Sequence, residues 1–218
     1  MQEKRRPMPS PVPSIATPAP ALRHLLLATI TLLGACATPP DLHLEGDALV
    51  ASGSLAARIP RPEADWRPAP VDRREETFDG HPFAIARSAW LGEDALVLVH
   101  AERVLDDSGA AHYEELPPFT LAGVIWRSRL LCAPLSPAEV AEESDLRYLA
   151  RHGFDPLPAL RLRQLFRTTE THDAELVVSY GERVQVCNED PDALAAFDRR
   201  LRRRLAGTRA ETPGEPPE

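Results

Sequence analysis

The run Ala95-Leu96-Val97-Leu98-Val99-His100-Ala101 is apolar at both odd and even positions. A strand with one face in water alternates, so a short run apolar on both parities reads as a central strand covered on two sides. Such a strand obliges the chain to supply a covering layer for each face of its sheet. Upstream, Phe83 and Ile85 alternate with Ala84 and Ala86, and Trp90 precedes the turn-like Gly92-Glu93-Asp94. Downstream, Asp106-Asp107-Ser108-Gly109 is a strong turn signal. Residues 76–105 are therefore predicted to be antiparallel strands, with a third strand before Pro117-Pro118.

Other strands follow from the same pattern. Leu55, Ala57 and Ile59 alternate with Ala56 and Arg58 until Pro60. Leu160, Leu162 and Phe166 alternate with Arg161, Arg163 and Arg167, which predicts a half-buried strand with an arginine-bearing outer face. Leu176, Val178 and Tyr180 resume after the polar turn 168–173, with a bulge predicted at Gly181 before Val184 and Val186. Phe119–Leu131 fits a strand or a buried helix equally well.

Two helices have clear start signals. Ser136-Pro137-Ala138-Glu139 combines a capping hydroxyl, a proline at the first position and a glutamate at the third. That helix should reach His152, with a restart possible at Ser144-Asp145, and pack through Leu146, Leu149 and Ala150. The second starts at Asp190-Pro191-Asp192 and stops at Gly207; Leu194, Phe197, Leu201 and Leu205 form one stripe. Its five arginines at positions 199, 200 and 202–204 suit the negative end of the helix and nearby carboxylates. The fold class is thus α+β: an antiparallel sheet packed by a mid-chain helix and a C-terminal helix in one domain, 48–207. Residues 36–47 read as a tether, 60–74 as an irregular proline-rich loop pinned by Trp66, and 208–218 as a disordered tail.

Ahead of the domain, Leu25–Cys36 reads LLLATITLLGAC after Arg23 and His24. A cationic flank, a short apolar core and small residues follow the order of a secretory signal. Leu25–Ala37 is short of the roughly 20 residues that cross hydrocarbon. Because LGAC at Leu33–Cys36 matches a lipobox, the segment resembles a bacterial lipoprotein signal peptide. That resemblance implies removal of residues 1–35, lipid on Cys36 and membrane attachment through that lipid. With Ala37 rather than aspartate next, it also implies the outer membrane, facing the periplasm.

Charge bears on partners. The chain carries 25 basic and 33 acidic residues. Removing 1–35, which holds Lys4, Arg5, Arg6 and Arg23 against Glu3, leaves 21 basic and 32 acidic residues, a net −11. Such a surface is repelled by nucleic acid and by anionic headgroups, so lipid must carry the membrane link. In an oxidising compartment Cys132 and Cys187 are expected to pair, closing a loop worth about 4 kcal/mol in the chain-entropy model; two buried free thiols are the alternative.

The chain lacks GxSxG, Walker, HExxH, GxGxxG, CxxC and HxxxH spacings, so no catalytic residue, cofactor or metal site is expected. His112-Tyr113-Glu114-Glu115 and Glu170-Thr171-His172-Asp173 bring imidazole near carboxylates, but both sit in turn-like segments. His100, inside an apolar strand, reads as a satisfied core histidine. The element order, with Ile59-Pro60 and Trp66 following an early strand and a Cys-ended strand feeding the last helix, is loosely similar to the Mog1/PsbP-like fold. That likeness implies a non-enzymatic accessory module and transfers no site. The leading expectation is a lipid-anchored envelope module that binds a protein partner. A small-ligand-binding lipoprotein, with Trp66, Trp90 and Trp126 lining a cleft, is the first alternative. An envelope hydrolase using His112 or His172 with adjacent carboxylates is the second.

Overall fold

The computed structural model describes residues 41–109, 111–188 and 190–210, all within one compact unit spanning 37–218. The predicted signal peptide, 1–35, Cys36, residues 37–40 of the predicted tether and residues 211–218 of the predicted tail lie outside the described residues.

Among the described residues, eleven strands make two antiparallel sheets. The larger holds β4 (Arg67–Phe78), β5 (His81–Leu91), β6 (Ala95–Val104), β10 (Ala174–Val184), β9 (Ala159–Thr168), β8 (Val124–Pro134) and β7 (Pro118–Leu121), in that spatial order. The smaller runs β1 (Asp41–Glu45), β2 (Ala48–Ser52), β3 (Ala57–Pro60), β11 (Arg209–Ala210). Helices α1 (Pro137–Glu142), α2 (Ser144–Arg151) and α3 (Pro191–Arg204) complete an α+β domain.

β6, the doubly apolar run, lies between β5 and β10 with both faces covered over Ala95–Val99. On one face Val97, Val99, Trp90, Leu165, Val178 and Tyr180 pack against Leu42, Leu49 and Ile59 of the small sheet and against Phe197 and Leu201 of α3. On the other, Leu96, Leu98, Ala89 and Leu160 meet Tyr148 and Leu149 of α2 and Phe154 just after it. That second cover reaches only part of the sheet, and the uncovered part becomes the candidate site.

Several local expectations change. Residues 41–45, read as tether, form an edge strand paired with β2, and 209–210, read as tail, pair with β3. Both are short; Leu42 and Leu44 alternate with polar neighbours in the first, while the second takes its order from pairing alone. The irregular loop 60–74 becomes strand from Arg67 onward, because β4 is an edge strand with a register shift between Ala69 and Asp72 that accommodates Pro68 and Pro70. Trp66 does pin this region, 3% exposed in the core. Phe119–Leu131 is a hairpin, not a helix: β7 and β8 turn at Ala122-Gly123, both at positive φ, as β4 and β5 turn at Asp79-Gly80. The strand expected before Pro117-Pro118 starts only at Pro118.

The arginine face of β9 is covered rather than outer. α3 lies over it, with Arg163 donating to Asp198 at 3.0 and 3.1 Å and Arg161 donating to the Asn188 carbonyl at 2.9 Å. β10 pairs continuously through Gly181 without a bulge; a Cβ there would meet Leu162 and Leu96 at 3.0 and 3.2 Å. The mid-chain helix does restart, after a capping box closed by Ser136 and Glu139, and Tyr148 takes the buried place expected of Ala150. In α3, Phe197, Leu201 and Leu205 are buried, and Arg200 and Arg204 pair with Glu182 and Glu63 at 2.7 and 2.9 Å. Cys132, in β8, and Cys187, before α3, form a disulfide, tying the sheet to the approach of that helix.

Candidate functional site

Where α1 and α2 stop covering the large sheet, a groove of about 610 Å³ opens. Its floor is set by parity and register. His100 and Glu102 are two apart on β6 and so share a face; Arg87 stands opposite His100 on β5, and Glu175 opposite Glu102 on β10. Phe83, Ile85, Phe166 and Val177 supply apolar floor between these polar groups. Tyr113 closes one side by stacking on Phe166, ring centroids 4.2 Å apart. Arg129 lies over the same ring and donates to Gln164 at 2.6 Å.

The deep end is a charge network. Arg87, 2% exposed, donates to Asp72 through Nε and Nη2 at 3.0 and 2.7 Å, and through Nη1 to Ser144 Oγ and Asp145 Oδ1 at 3.0 and 2.8 Å. Its guanidinium also stacks on Tyr148, 4.5 Å from the ring centroid. Asp145 Oδ1 lies 3.3 Å from His100 Nε2, and His100 Nδ1 is 2.9 Å from Glu102. Helix α2 thus delivers Ser144 and Asp145 to the sheet and orders both ends of the network.

These contacts set the protonation states. Burial alone would push His100 down, but the carboxylates of Asp145 and Glu102 outweigh it and raise the imidazole to about 10. Burial would raise Asp145, yet His100 and Arg87 hold its carboxyl far below the ordinary range. Glu175 moves the opposite way. Burial and the facing Glu102 carboxylate raise it to about 8, against a hydrogen bond with Tyr113 that favours ionisation. The two glutamates occupy directly opposite positions, where two full negative charges repel. At neutral pH the floor therefore holds a cationic imidazole beside a carboxyl pair that retains a proton, with Glu175 Oε2 buried and without a hydrogen-bond partner.

At the rim, two loops meet. His112 and Glu114 lie between β6 and β7, and His172 in the β9–β10 turn. Their ligand-capable atoms all lie within 4.8 Å of one another. Gly109, His112 and Tyr113 line the groove here, and His81, 3.2 Å from Asp106, lines it as well.

The expected candidates are redistributed. Trp66, Trp90 and Trp126 are all packed in the core, 3%, 0% and 1% exposed, so the tryptophan-lined cleft does not form. His100 is paired with charges on a groove floor rather than satisfied in a core, and its Nε2, 3.3 Å from Asp145, makes no hydrogen bond. His112 and His172, expected as separate turn residues, come together. The network of Arg87, Glu102, Asp145 and Glu175 was missed, although each of Arg87, Glu102 and Glu175 interrupts or borders an apolar strand run, a signal that was available.

Among the described residues no helix is long and apolar enough to cross a membrane. No protein-family model, curated protein or solved structure matches the chain.

Proposed function

We propose that this chain is a lipid-anchored cell-envelope lipoprotein whose domain is a non-enzymatic binding module, holding a small polar ligand in the groove on the large sheet. The anchor rests on the lipobox-like LGAC and on a mature surface too acidic for electrostatic attachment. One observation carries the binding reading: charged groups, His100, Glu102, Asp145 and Glu175, line a cavity above the buried Arg87 instead of being replaced by apolar side chains. Burying charge costs folding free energy, and such groups cluster where a ligand uses them. The mixture of a cation, a protonated carboxyl, Tyr113 and an apolar floor suits a ligand with both hydrogen-bonding and apolar faces, such as a sugar or short peptide of the envelope.

The binding reading is tested by thermal shift of the purified chain against envelope-derived saccharides, peptides and amines. A ligand that raises the melting temperature of the wild type but not of Phe166→Ala or Arg87→Met supports it. No shift with any of them, together with a specific protein captured by crosslinking in intact envelopes, would move the assignment to a protein-binding accessory module. The anchor is tested by Cys36→Ser, which should abolish fatty-acid labelling and release the protein from membranes. A hydrolase reading draws on one specific observation, the meeting of His112, Glu114 and His172 at the groove rim. Turnover of an envelope polymer that Glu114→Gln abolishes would establish it in place of binding.

A further inference from the structure

We propose that His112, Glu114 and His172 form a site for a divalent transition metal of the zinc type at the rim of the groove. The inference is independent of what the groove itself binds.

The ligand types are those zinc takes, two imidazoles and one carboxylate, the number that leaves a fourth position open. Hard cations such as calcium and magnesium prefer all-oxygen sets and are disfavoured here. His112 and Glu114 are two apart in one loop, and His172 arrives from a turn nearly sixty positions away, so no sequence spacing announces the set.

His172 is the organised member. Its Nδ1 lies 2.9 Å from the Ala111 carbonyl, and the His172 carbonyl in turn accepts from Ala111 N at 3.3 Å. A carbonyl only accepts, so Nδ1 carries the proton, and Nε2, 3.4 Å from Glu114 Oε1, is the ring nitrogen left to face a metal. A metal-bound histidine has this same arrangement, the far ring nitrogen fixed by a backbone carbonyl. Backbone strain is accepted to hold it there: His172 has φ +55°, kept in place by its N–H to Thr169 O at 3.1 Å and by Thr169 and Thr171 hydroxyls on Asp173.

The other two ligands have freedom to close. His112 Nδ1 is 4.0 Å from Glu114 Oε2, the two imidazole centroids are 4.5 Å apart, and both side chains are more than half exposed. With bonds of about 2.1 Å, ligands around zinc lie roughly 3.4 Å apart. The set thus needs only rotamer adjustment of exposed side chains. The competing explanation is a plain His172–Glu114 ion pair that staples the two loops, and it predicts no metal binding.

The test uses the purified full chain, stripped with chelator and titrated with Co²⁺ and Zn²⁺. Co²⁺ should produce visible d–d absorption saturating at one equivalent, and Zn²⁺ should displace it. His112→Ala and Glu114→Gln, whose exposed side chains can be changed without unfolding the loop, should each weaken binding at least about tenfold, the loss that even an outer-shell change causes. His81→Ala, a groove histidine outside the set, should leave binding unchanged. His172→Ala is read alongside its circular dichroism, so that loss of metal with an intact fold can be recognised. Absence of d–d bands and of Zn²⁺ heat, or wild-type affinity in both His112→Ala and Glu114→Gln, would overturn the site.

Discussion

The two faces of the seven-stranded sheet come from the same strands and have opposite characters. One is dry and closed: Trp90, Val97, Val99, Val178 and Tyr180 are sealed beneath the small sheet and α3. The other is closed only where Tyr148, Leu149 and Phe154 sit, and its open half carries His100, Glu102 and Glu175. Along β6 the switch occurs within one strand, from Leu96 and Leu98 to His100 and Glu102 on the same parity. The closed face serves stability. The open face accepts a stability cost and gains chemistry.

If that division is right, the largest loss should come from the closed face. Trp90→Ala removes a fully buried ring that also donates to the Ile59 carbonyl at 3.2 Å, and should cost about 3–5 kcal/mol by chemical denaturation. A cost near zero would mean that this face is not the core. Next comes the covalent tie that holds the approach to α3 on the closed face. Replacing both Cys132 and Cys187 with serine should lower stability by about 2–4 kcal/mol. Thiol counting on denatured, unreduced protein should find neither cysteine free.

The open face should declare itself through pH. His100, raised from its ordinary 6.5 to about 10, contributes stability that is complete below pH 6.5 and is lost as pH rises toward 10. Glu175, raised from 4.5 to about 8, keeps its proton better when folded, so its ionisation removes stability between pH 4.5 and 8. Both act in one direction, and unfolding free energy should fall steadily from pH 5 to 9. Asp145, held below 3.8, acts oppositely and withdraws stability only in acid. Glu175→Gln should flatten the slope between pH 5 and 8; an unchanged slope would show that the carboxyl pair is not its source. The smallest effect belongs to Phe78, 46% exposed at the hairpin tip and edge-on to Phe83. Phe78→Ala should change stability by no more than about 0.5 kcal/mol while weakening whatever the groove binds. A large loss would make the open rim part of the core.

Much of the framework was legible in local pattern. The central position of β6, the capping box at Ser136, the α3 stripe and the cysteine pair each depend on residues a few positions apart or on compartment chemistry. The edge strands were not. Arg209–Ala210 is too short to show a period, Asp41–Glu45 alternates but follows directly on the prolines of the tether, and Pro68 and Pro70 look like loop until β4 is known to lie at an edge. The arginines of β9 were misassigned for a related reason: alternation reports that a second face is polar, not that it is wet. Asp198 and the Asn188 carbonyl make that face one that α3 can cover.

The candidate site divides in the same way. Pattern could place His100 and Glu102 on one face, because side chains two apart on a strand share it. It could not bring Glu175 opposite Glu102, Asp145 onto Arg87, or His172 beside His112 and Glu114. Those meetings depend on strand order and on where α2 and two loops land across separations of tens of residues. The local sequence therefore marks the central strands, the helix starts and the lipobox-like stretch. Only the tertiary structure decides which charges share a cavity, since that depends on long-range register that no short window contains.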